Sequence, residues 1–427
     1  MAKKMMHLTG FVIYCPAPHT MMSWIYPRDQ IRWYWHQNEY WRSIAQTLER
    51  GKFDMMFFAD GWGGGNEASV RYAVQFPNHD PLLLISYLAG FTQKLGFAVT
   101  MSTTFYPPFM LARKLSTLDH ITNGRIGWNI VTSFGKSEAR NFGMDGMIPH
   151  DERYDRADEF MEVCYRLWDS WEPDAVTMDM EAGIFADPKK VHRINFRGKW
   201  FNCQGPLDVI PSPQGRPLLI QAGASERGRE FAARHAECVF GAGGRWFSDD
   251  LAERARKSGR EPSAIKIIWG AQPIVAETET EAQALERAVL ERIPPEAGLH
   301  LMSSHFDLDL ARYDMDMPLE RIETAGVQGI LEAFKRSGRD LTLREAAKIY
   351  GRGIGMPHMV GTPQQVADQM ESMLDRIGGD GFQISPPYYA PDYYEDLVRL
   401  LIPELQRRGV FRKEYRGGTL RDYLHEQ

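Results

Sequence analysis

The sequence predicts a (β/α)8 barrel, and three observations carry that reading. Eight short apolar runs alternate with amphipathic helical segments, the rhythm of parallel βαβ units. Several of these runs end in small polar residues, as strands do at the carboxyl face of a barrel, where active sites are built. The chain has 427 residues against the roughly 250 a barrel needs, and two irregular segments, about 172–216 and 293–359, absorb much of the excess. The alternation also suits an open doubly wound sheet. With no internal repeat and no low-complexity linker, the expectation is one domain with those insertions and a C-terminal extension from about residue 410.

Each element has its own signal. His7 to Tyr14 reads as the first strand, followed by a long apolar loop to Gln37 containing Met21, Met22, Trp24, Tyr26, Trp33, Tyr34 and Trp35. A helix runs from Asn38 to about Arg50 and closes at Gly51. Phe53 to Asp60 is the second strand, ending in a carboxylate, and Asp80 to Gln93 is helical. Leu95 to Met101 is the third strand, with Ser102, Thr103 and Thr104 after it, and a helix spans about Met110 to Thr122. Ile126 to Val131, apolar and bounded by glycine, reads as a strand buried on both faces. It carries Asn129 and runs into Thr132 and Ser133.

Asp151 to Trp171 is a strong helix, after which the rhythm breaks, with a hairpin expected over His192 to Cys203 turning at Arg197-Gly198. Alternation resumes with strands at Leu218–Ala222, Cys238–Gly241 and Ile265–Ala271, and with helices at Ser225–His235, Ser248–Gly259 and Thr278 to about Arg292. No repeating unit is legible from about Ile293 to Met359. A helix at Thr362–Arg376, a strand at Gly381–Ser385 and a helix at Pro391–Arg408 complete the pattern.

Composition excludes several functions. Hydrophobic residues make up 43% and charged residues 25%, the balance of a water-facing globular protein. Net charge is −6 and no basic run stands out, so neither nucleic acid nor an anionic membrane is an expected partner. No apolar run is long enough to span a bilayer. Cys15, Cys164, Cys203 and Cys238 are scattered, which suits reduced thiols in a cytoplasmic protein.

Four features converge on one barrel end. Asp60 closes the second strand, and Ser102-Thr103-Thr104 form a hydroxyl cluster after the third. His150 and Tyr154 lie four apart at a helix start and share one face. In Gln221-Ala222-Gly223-Ala224-Ser225, an apolar strand runs into small residues and a helix start. The free N–H groups and helix dipole there suit a phosphate, and Arg227 and Arg229 could add charge. Turn, capping and packing roles remain the plainer reading of each feature taken alone. No dinucleotide fingerprint, nucleophile elbow or clustered set of metal ligands is present. Gly135-Lys136-Ser137 resembles a P-loop tail, but Ile130 stands where the first glycine is needed. Chemistry carried by a cofactor fits this set.

The motifs also resemble one family. They are Phe-Phe-Ala-Asp to Asp60, Ser-Thr-Thr-Phe from Ser102, Ser-Thr-Leu-Asp-His from Ser116 and Gly-Arg-Ile-Gly-Trp-Asn-Ile-Val-Thr-Ser from Gly124. His-Asp-Glu-Arg-Tyr from His150 and Gln-Ala-Gly-Ala-Ser-Glu-Arg-Gly-Arg-Glu-Phe-Ala-Ala from Gln221 complete the set. Nearly the whole chain, to about Gly409, is similar to bacterial-luciferase-like flavin monooxygenases of the nitrilotriacetate, dibenzothiophene-sulfone and long-chain-alkane branch.

The resemblance implies a luciferase-like barrel that uses FMN, as reduced FMNH2, with O2 as co-substrate and no metal. A separate NAD(P)H:flavin reductase would supply the reduced flavin, and a flavin C4a-(hydro)peroxide would be the oxidant. That species survives where water is excluded, so a lid is expected, with 293–359 and the first loop as candidates. By position, Asp60, Thr104, Asn129, Ser133, His150 and Tyr154 would surround the flavin, and Ala222, Gly223, Ala224 and Ser225 would hold its phosphate. Catalytic positions fall at His19, at His300 or His305, and at Phe134, where alkane-oxidising relatives carry a histidine after Thr-Ser.

That substitution, with the apolar loop of Pro16, Pro18, Met21, Met22, Trp24 and Tyr26, points to an apolar small molecule, aromatic or bearing sulfur or halogen. The family implies a homodimer or homotetramer. A deazaflavin-dependent oxidoreductase, a catalytically silent flavin-binding subunit and a flavin-free barrel lyase or hydrolase are the competing readings.

Overall fold

The structure is a computed structural model that describes residues 4–20, 23–25, 36–65, 67–306, 308–322, 340–388 and 391–425, with backbone alone for 304–306 and 391. In the first loop, Met21, Met22, Tyr26, Trp33, Tyr34 and Trp35 lie outside the described residues. The strands in chain order are β1 (His7–Ile13), β2 (Met55–Ala59), β3 (Gly96–Ser102), β4 (Ile126–Val131), β5 (Val176–Asp179), β6 (Ile184–Ala186) and β7 (Phe196–Arg197). They continue with β8 (Asn202–Cys203), β9 (Leu218–Gln221), β10 (Cys238–Gly241), β11 (Lys266–Val275), β12 (His358–Gly361) and β13 (Gly381–Ile384). Eight of them, β1, β2, β3, β4, β9, β10, β11 and β13, pair in parallel and close into a ring. Closure excludes the open doubly wound sheet.

Alternation along each strand sorts the side chains into two layers. Phe11, Ile13, Met55, Phe57, Ala98, Leu218, Ile220, Cys238 and Ile268 fill the barrel interior as one apolar cluster. Their neighbours Val12, Met56, Phe58, Phe97, Val99, Trp128, Leu219 and Trp269 face outward into the core beneath the helices. Burial on both faces explains why these strands read as unbroken apolar runs.

The expected strands all occur, three of them one residue shorter and three of unchanged length. Phe53 to Asp60 shortens to Met55–Ala59, and just before it the Asp54 carboxylate accepts the Leu8 N–H at 2.9 Å. Strand Ile265 to Ala271 instead extends to Val275. The first half of β11 closes the barrel, and Gln272–Val275 pair in parallel with β12 outside it.

Both irregular segments contain structure, some of it beyond the one hairpin expected over His192 to Cys203. The first holds hairpin β5–β6 and hairpin β7–β8. The latter turns over residues 198–201, beyond the expected Arg197-Gly198, because Glu159 receives the N–H groups of Lys199, Trp200 and Phe201 at 2.8–2.9 Å. Gly198 is required there, since a Cβ would lie 2.1 Å from the Glu159 carboxylate. The second holds helices Pro295–Phe306 and Leu343–Gly351, which meet where a Cβ on Gly298 would lie 1.9 Å from the Ala347 carbonyl, and then β12.

The expected final helix, Pro391–Arg408, is interrupted. Pro403 has no N–H to return, and the chain opens into a π turn over Leu397–Leu401 between helices Pro391–Asp396 and Ile402–Arg408. Beyond it the chain folds under the barrel. Helix Leu420–His425 places Leu420, Tyr423 and Leu424 in the same apolar cluster as Met55 and Phe57, plugging the amino-terminal end. Among the described residues no helix is long and apolar enough to cross a membrane.

Candidate active site

The carboxyl ends of the strands form a rim in which small polar side chains are locked to one another. Thr104 donates its hydroxyl to the Thr132 carbonyl at 2.7 Å, and the Ser133 hydroxyl donates to Ser102 Oγ at 2.9 Å. Ser133 sits in the left-handed region at φ 56°, a conformation that costs a serine energy unless its surroundings hold it. Arg153, nearly buried, supplies the hold by donating to the Ser133 carbonyl at 2.6 Å. One turn on, Arg156 donates to the Thr103 and Thr104 carbonyls at 2.8 and 3.2 Å. Their spacing of three puts both guanidiniums on the helix face that covers the rim. Sequence reading did not assign these arginines a role, although Arg153 lies inside the His150 motif.

Asp60 follows β2 and is half-buried. Its Oδ1 accepts from the Gly61 N–H at 2.9 Å and from the Asn78 amide at 2.7 Å. Burial raises its carboxyl to about 8, with Asp80 and Glu138 adding to the rise and the two donors opposing it. Asn78 was not singled out, since nothing in its local sequence marks a partner eighteen residues back.

A second group assembles where helices His150–Trp168 and Glu226–His235 begin. Ser225 caps the latter and accepts the Gly228 N–H at 3.1 Å. The buried Tyr154 hydroxyl is within hydrogen-bond reach of Ser225 and Thr132, and burial raises its pKa. His150, half-exposed, stacks edge-on with Tyr154 at 5.2 Å between ring centroids. A Cβ on Gly223 would lie 2.8 Å from the Tyr154 hydroxyl and 2.2 Å from Gln221 Nε2, so glycine is what lets this loop close on the tyrosine. Ala222 and Ser225 stay exposed beside it, leaving a small cradle ending in a helix N-terminus. Arg227 and Arg229 brace the cradle from behind and are held by carboxylates: Arg229 donates to the Ala224 carbonyl and Arg227 lies over the Tyr154 ring at 5.8 Å. Arg227 pairs with Asp155 and Asp158, and Arg229 with Asp250.

The candidate catalytic residues are spread apart. His19 stacks on Phe11 at 3.9 Å and its Nδ1 lies 3.2 Å from Ser385 Oγ, at the end of β13. His300, on the second insertion, meets Ser69 across the mouth at 3.2 Å, and burial lowers its pKa. The side chain of His305 lies outside the described residues. Phe134 is 57% exposed on the rim after β4. The insertion is tied to the mouth elsewhere: Thr20 donates to the Arg352 carbonyl at 2.8 Å and accepts from Gln272 at 2.9 Å.

The residues present fit a flavin. Inside the barrel, Thr9 Oγ1, Asn129 Oδ1 and Gln383 Nε2 are buried without a partner in the protein, and such atoms call for a ligand or water. Asn129 spends only its amide nitrogen, on Thr100 at 2.9 Å. Above them the glycine-lined cradle suits a phosphate tail. Among the described residues no group of three or more His, Cys, Asp or Glu could hold a metal ion.

Comparison with known proteins agrees. The luciferase-like monooxygenase family matches residues 22–381. The long-chain alkane monooxygenase of Geobacillus thermodenitrificans is 41% identical, covering 99% of this chain and 94% of its own. Nitrilotriacetate monooxygenase component A of Aminobacter aminovorans is 40% identical over 99% of this chain and 97% of its own. A riboflavin lyase solved with modified FMN and riboflavin is 33% identical, with a TM-score of 0.91 over 99% of this chain and 96% of that one. The closed barrel, its rim and these likenesses together place the chain in the luciferase-like monooxygenase family, in the branch of the alkane and nitrilotriacetate enzymes.

Proposed function

We propose that this monooxygenase is the oxygenase half of a two-component system. It would take FMNH2 from a separate NAD(P)H:flavin reductase and use O2 to oxidise an apolar small molecule, aromatic or bearing sulfur or halogen. The cradle of Gly223, Ser225 and Tyr154 carries this reading, because it offers a phosphate tail backbone N–H groups and two hydroxyls at a helix N-terminus. The "component A" name of the nitrilotriacetate relative supports the reductase partner. The riboflavin lyase's FMN supports the flavin. For the substrate, support comes from the interior beneath the rim, where Phe11, Ile13, Phe57, Ile268 and Phe240 face inward.

When bound, reduced flavin would supply the electrons that activate O2; the residues named here would bind, orient and exclude water. Ala222 to Ser225 and Tyr154 would hold the phosphate, with His150 beside them. Asp60, Thr104, Asn129 and Ser133 would border the ring system. His19 and His300 are the groups placed to move protons, His19 from its perch on Phe11 and His300 from the insertion above. The insertion would keep water out.

The test is a titration of the protein with FMN, oxidised and photoreduced under nitrogen, followed by tryptophan quenching. The reduced form should bind more tightly, and Gly223→Ala should weaken it roughly tenfold, about 1.4 kcal/mol, by intruding on Tyr154. Failure to bind either form would overturn the cofactor reading. Oxygen uptake that rises only with an apolar substrate separates an active oxygenase from a silent subunit. Turnover confined to aminopolycarboxylates would sink the substrate class.

A further inference from the structure

At the opposite end of the barrel lies a cavity of about 460 Å³, lined by Tyr165, Arg216, Arg234, His235, Glu237, Arg260, Ala264 and His425. Arg216, Glu237 and Ala264 precede strands β9, β10 and β11, so the cavity sits at the amino-terminal face, away from the flavin rim. Helix Glu226–His235 spans the gap. Its Ser225 cap belongs to the phosphate cradle, and Arg234 and His235 end it in the cavity, about 15 Å away at the helix rise.

The charges on the wall do not balance. Arg216 lies over the Tyr165 ring at 5.1 Å and has no carboxylate partner among the described residues. Arg260 spends one nitrogen on the Ala233 carbonyl at 3.0 Å, and burial depresses its pKa, with Glu237 and Tyr165 only partly opposing that and Arg216 adding to it. That bond also covers a carbonyl at the negative end of the helix, which would otherwise repel an anion. Arg234 pairs with Asp158 at 3.0 Å and more loosely with Glu230 at 3.5 Å, but its Nε is buried with no partner. Asp158 is already shared with Arg227 and His235. Glu237, the one carboxylate in the lining, is taken by Arg421 at 2.6 Å. Three guanidiniums thus face a space larger than one phosphate, with a tyrosine ring as one wall.

We propose that this cavity is a binding site for a small polyvalent oxyanion, a diphosphate or a polycarboxylate, distinct from the flavin site. Forked guanidinium donors match both groups, and a multivalent ligand would engage Arg216 and Arg260 together.

The test is calorimetric titration of the whole protein with sodium pyrophosphate and, separately, with citrate, at low ionic strength because screening weakens such contacts. Saturable binding of either probe is expected, and the probe that binds more tightly identifies the group. Arg216→Ala, at an exposed side chain, and Arg260→Ala should each weaken it roughly tenfold. Circular dichroism should show both variants folded, and the affinity for reduced FMN should be unchanged in Arg216→Ala. Absence of binding by both probes would overturn the proposal. So would binding that Arg216→Ala leaves intact, or binding that FMN displaces, since that locates the probe in the cradle.

Discussion

Asp60 shows what a single residue can and cannot tell in advance. A carboxylate directly after an apolar run was readable as a rim group. Its pKa of about 8 was not, because the rise comes from burial and from Asp80 and Glu138, which only the fold brings near. A carboxyl so raised keeps its proton near neutral pH, and it would be able to donate and free of charge beside the reduced flavin proposed above. Affinity for reduced FMN should fall as pH rises through about 8, and Asp60→Asn should flatten that step. Stability carries the same signature. The folded protein keeps a proton that the unfolded chain releases near the ordinary carboxylate range, so this group's contribution declines as pH rises toward about 8 and then levels off. Urea unfolding midpoints of wild type and Asp60→Asn across pH 5 to 9, a range chosen around that value, measure it; parallel curves would refute the protonated carboxyl.

Among elements, those with a long period were legible and those held by distant partners were not. The eight barrel strands and most helices announce themselves through apolar periodicity and caps such as Thr278 and Thr362. β12 has four residues and exists because the second half of β11 offers it a ladder, a tertiary cause with no local signal. The insertion over the mouth is similar. Among its described residues two helices, Pro295–Phe306 and Leu343–Gly351, meet where Gly298 lies against the Ala347 backbone. Gly298→Ala would push a methyl into a carbonyl that cannot turn aside, separating helices Pro295–Phe306 and Leu343–Gly351. If this insertion excludes water, the variant should consume O2 with less product and more hydrogen peroxide released per turnover. Amide exchange should quicken in both helices while the barrel strands stay protected. Unchanged coupling alongside faster exchange would assign the insertion a role other than shielding.

Over the whole molecule, the two ends of the barrel are built on different principles. The carboxyl end spends its polar groups on one another and leaves a few open; the amino end is sealed by the C-terminal extension. There Asp54, fully buried, receives the Leu8 N–H, the His7 ring at 3.1 Å and the Arg412 guanidinium. Burial alone would raise its pKa, but Arg412 and His7 more than reverse that and hold it below the usual value. His7 and Asp54 near the start of the chain and Arg412 near its end make one ion cluster, which is why reading in order could not find it. Removing one partner strands the buried charge, so Arg412→Ala should cost about 3–5 kcal/mol near neutral pH. Wild-type Asp54 contributes stability above its ordinary pKa and loses it as pH falls through the depressed folded value. In Arg412→Ala the stranded carboxylate gains by taking a proton, so the stability gap to wild type should narrow as pH falls toward that range. Adding Asp54→Asn to Arg412→Ala should recover part of the loss at neutral pH, because the amide carries no charge to strand. Urea unfolding of the three proteins at two pH values decides the matter. If the gap stays constant with pH and the second substitution restores nothing, Arg412 stabilises through its packing against Tyr415 and Tyr423, not through Asp54.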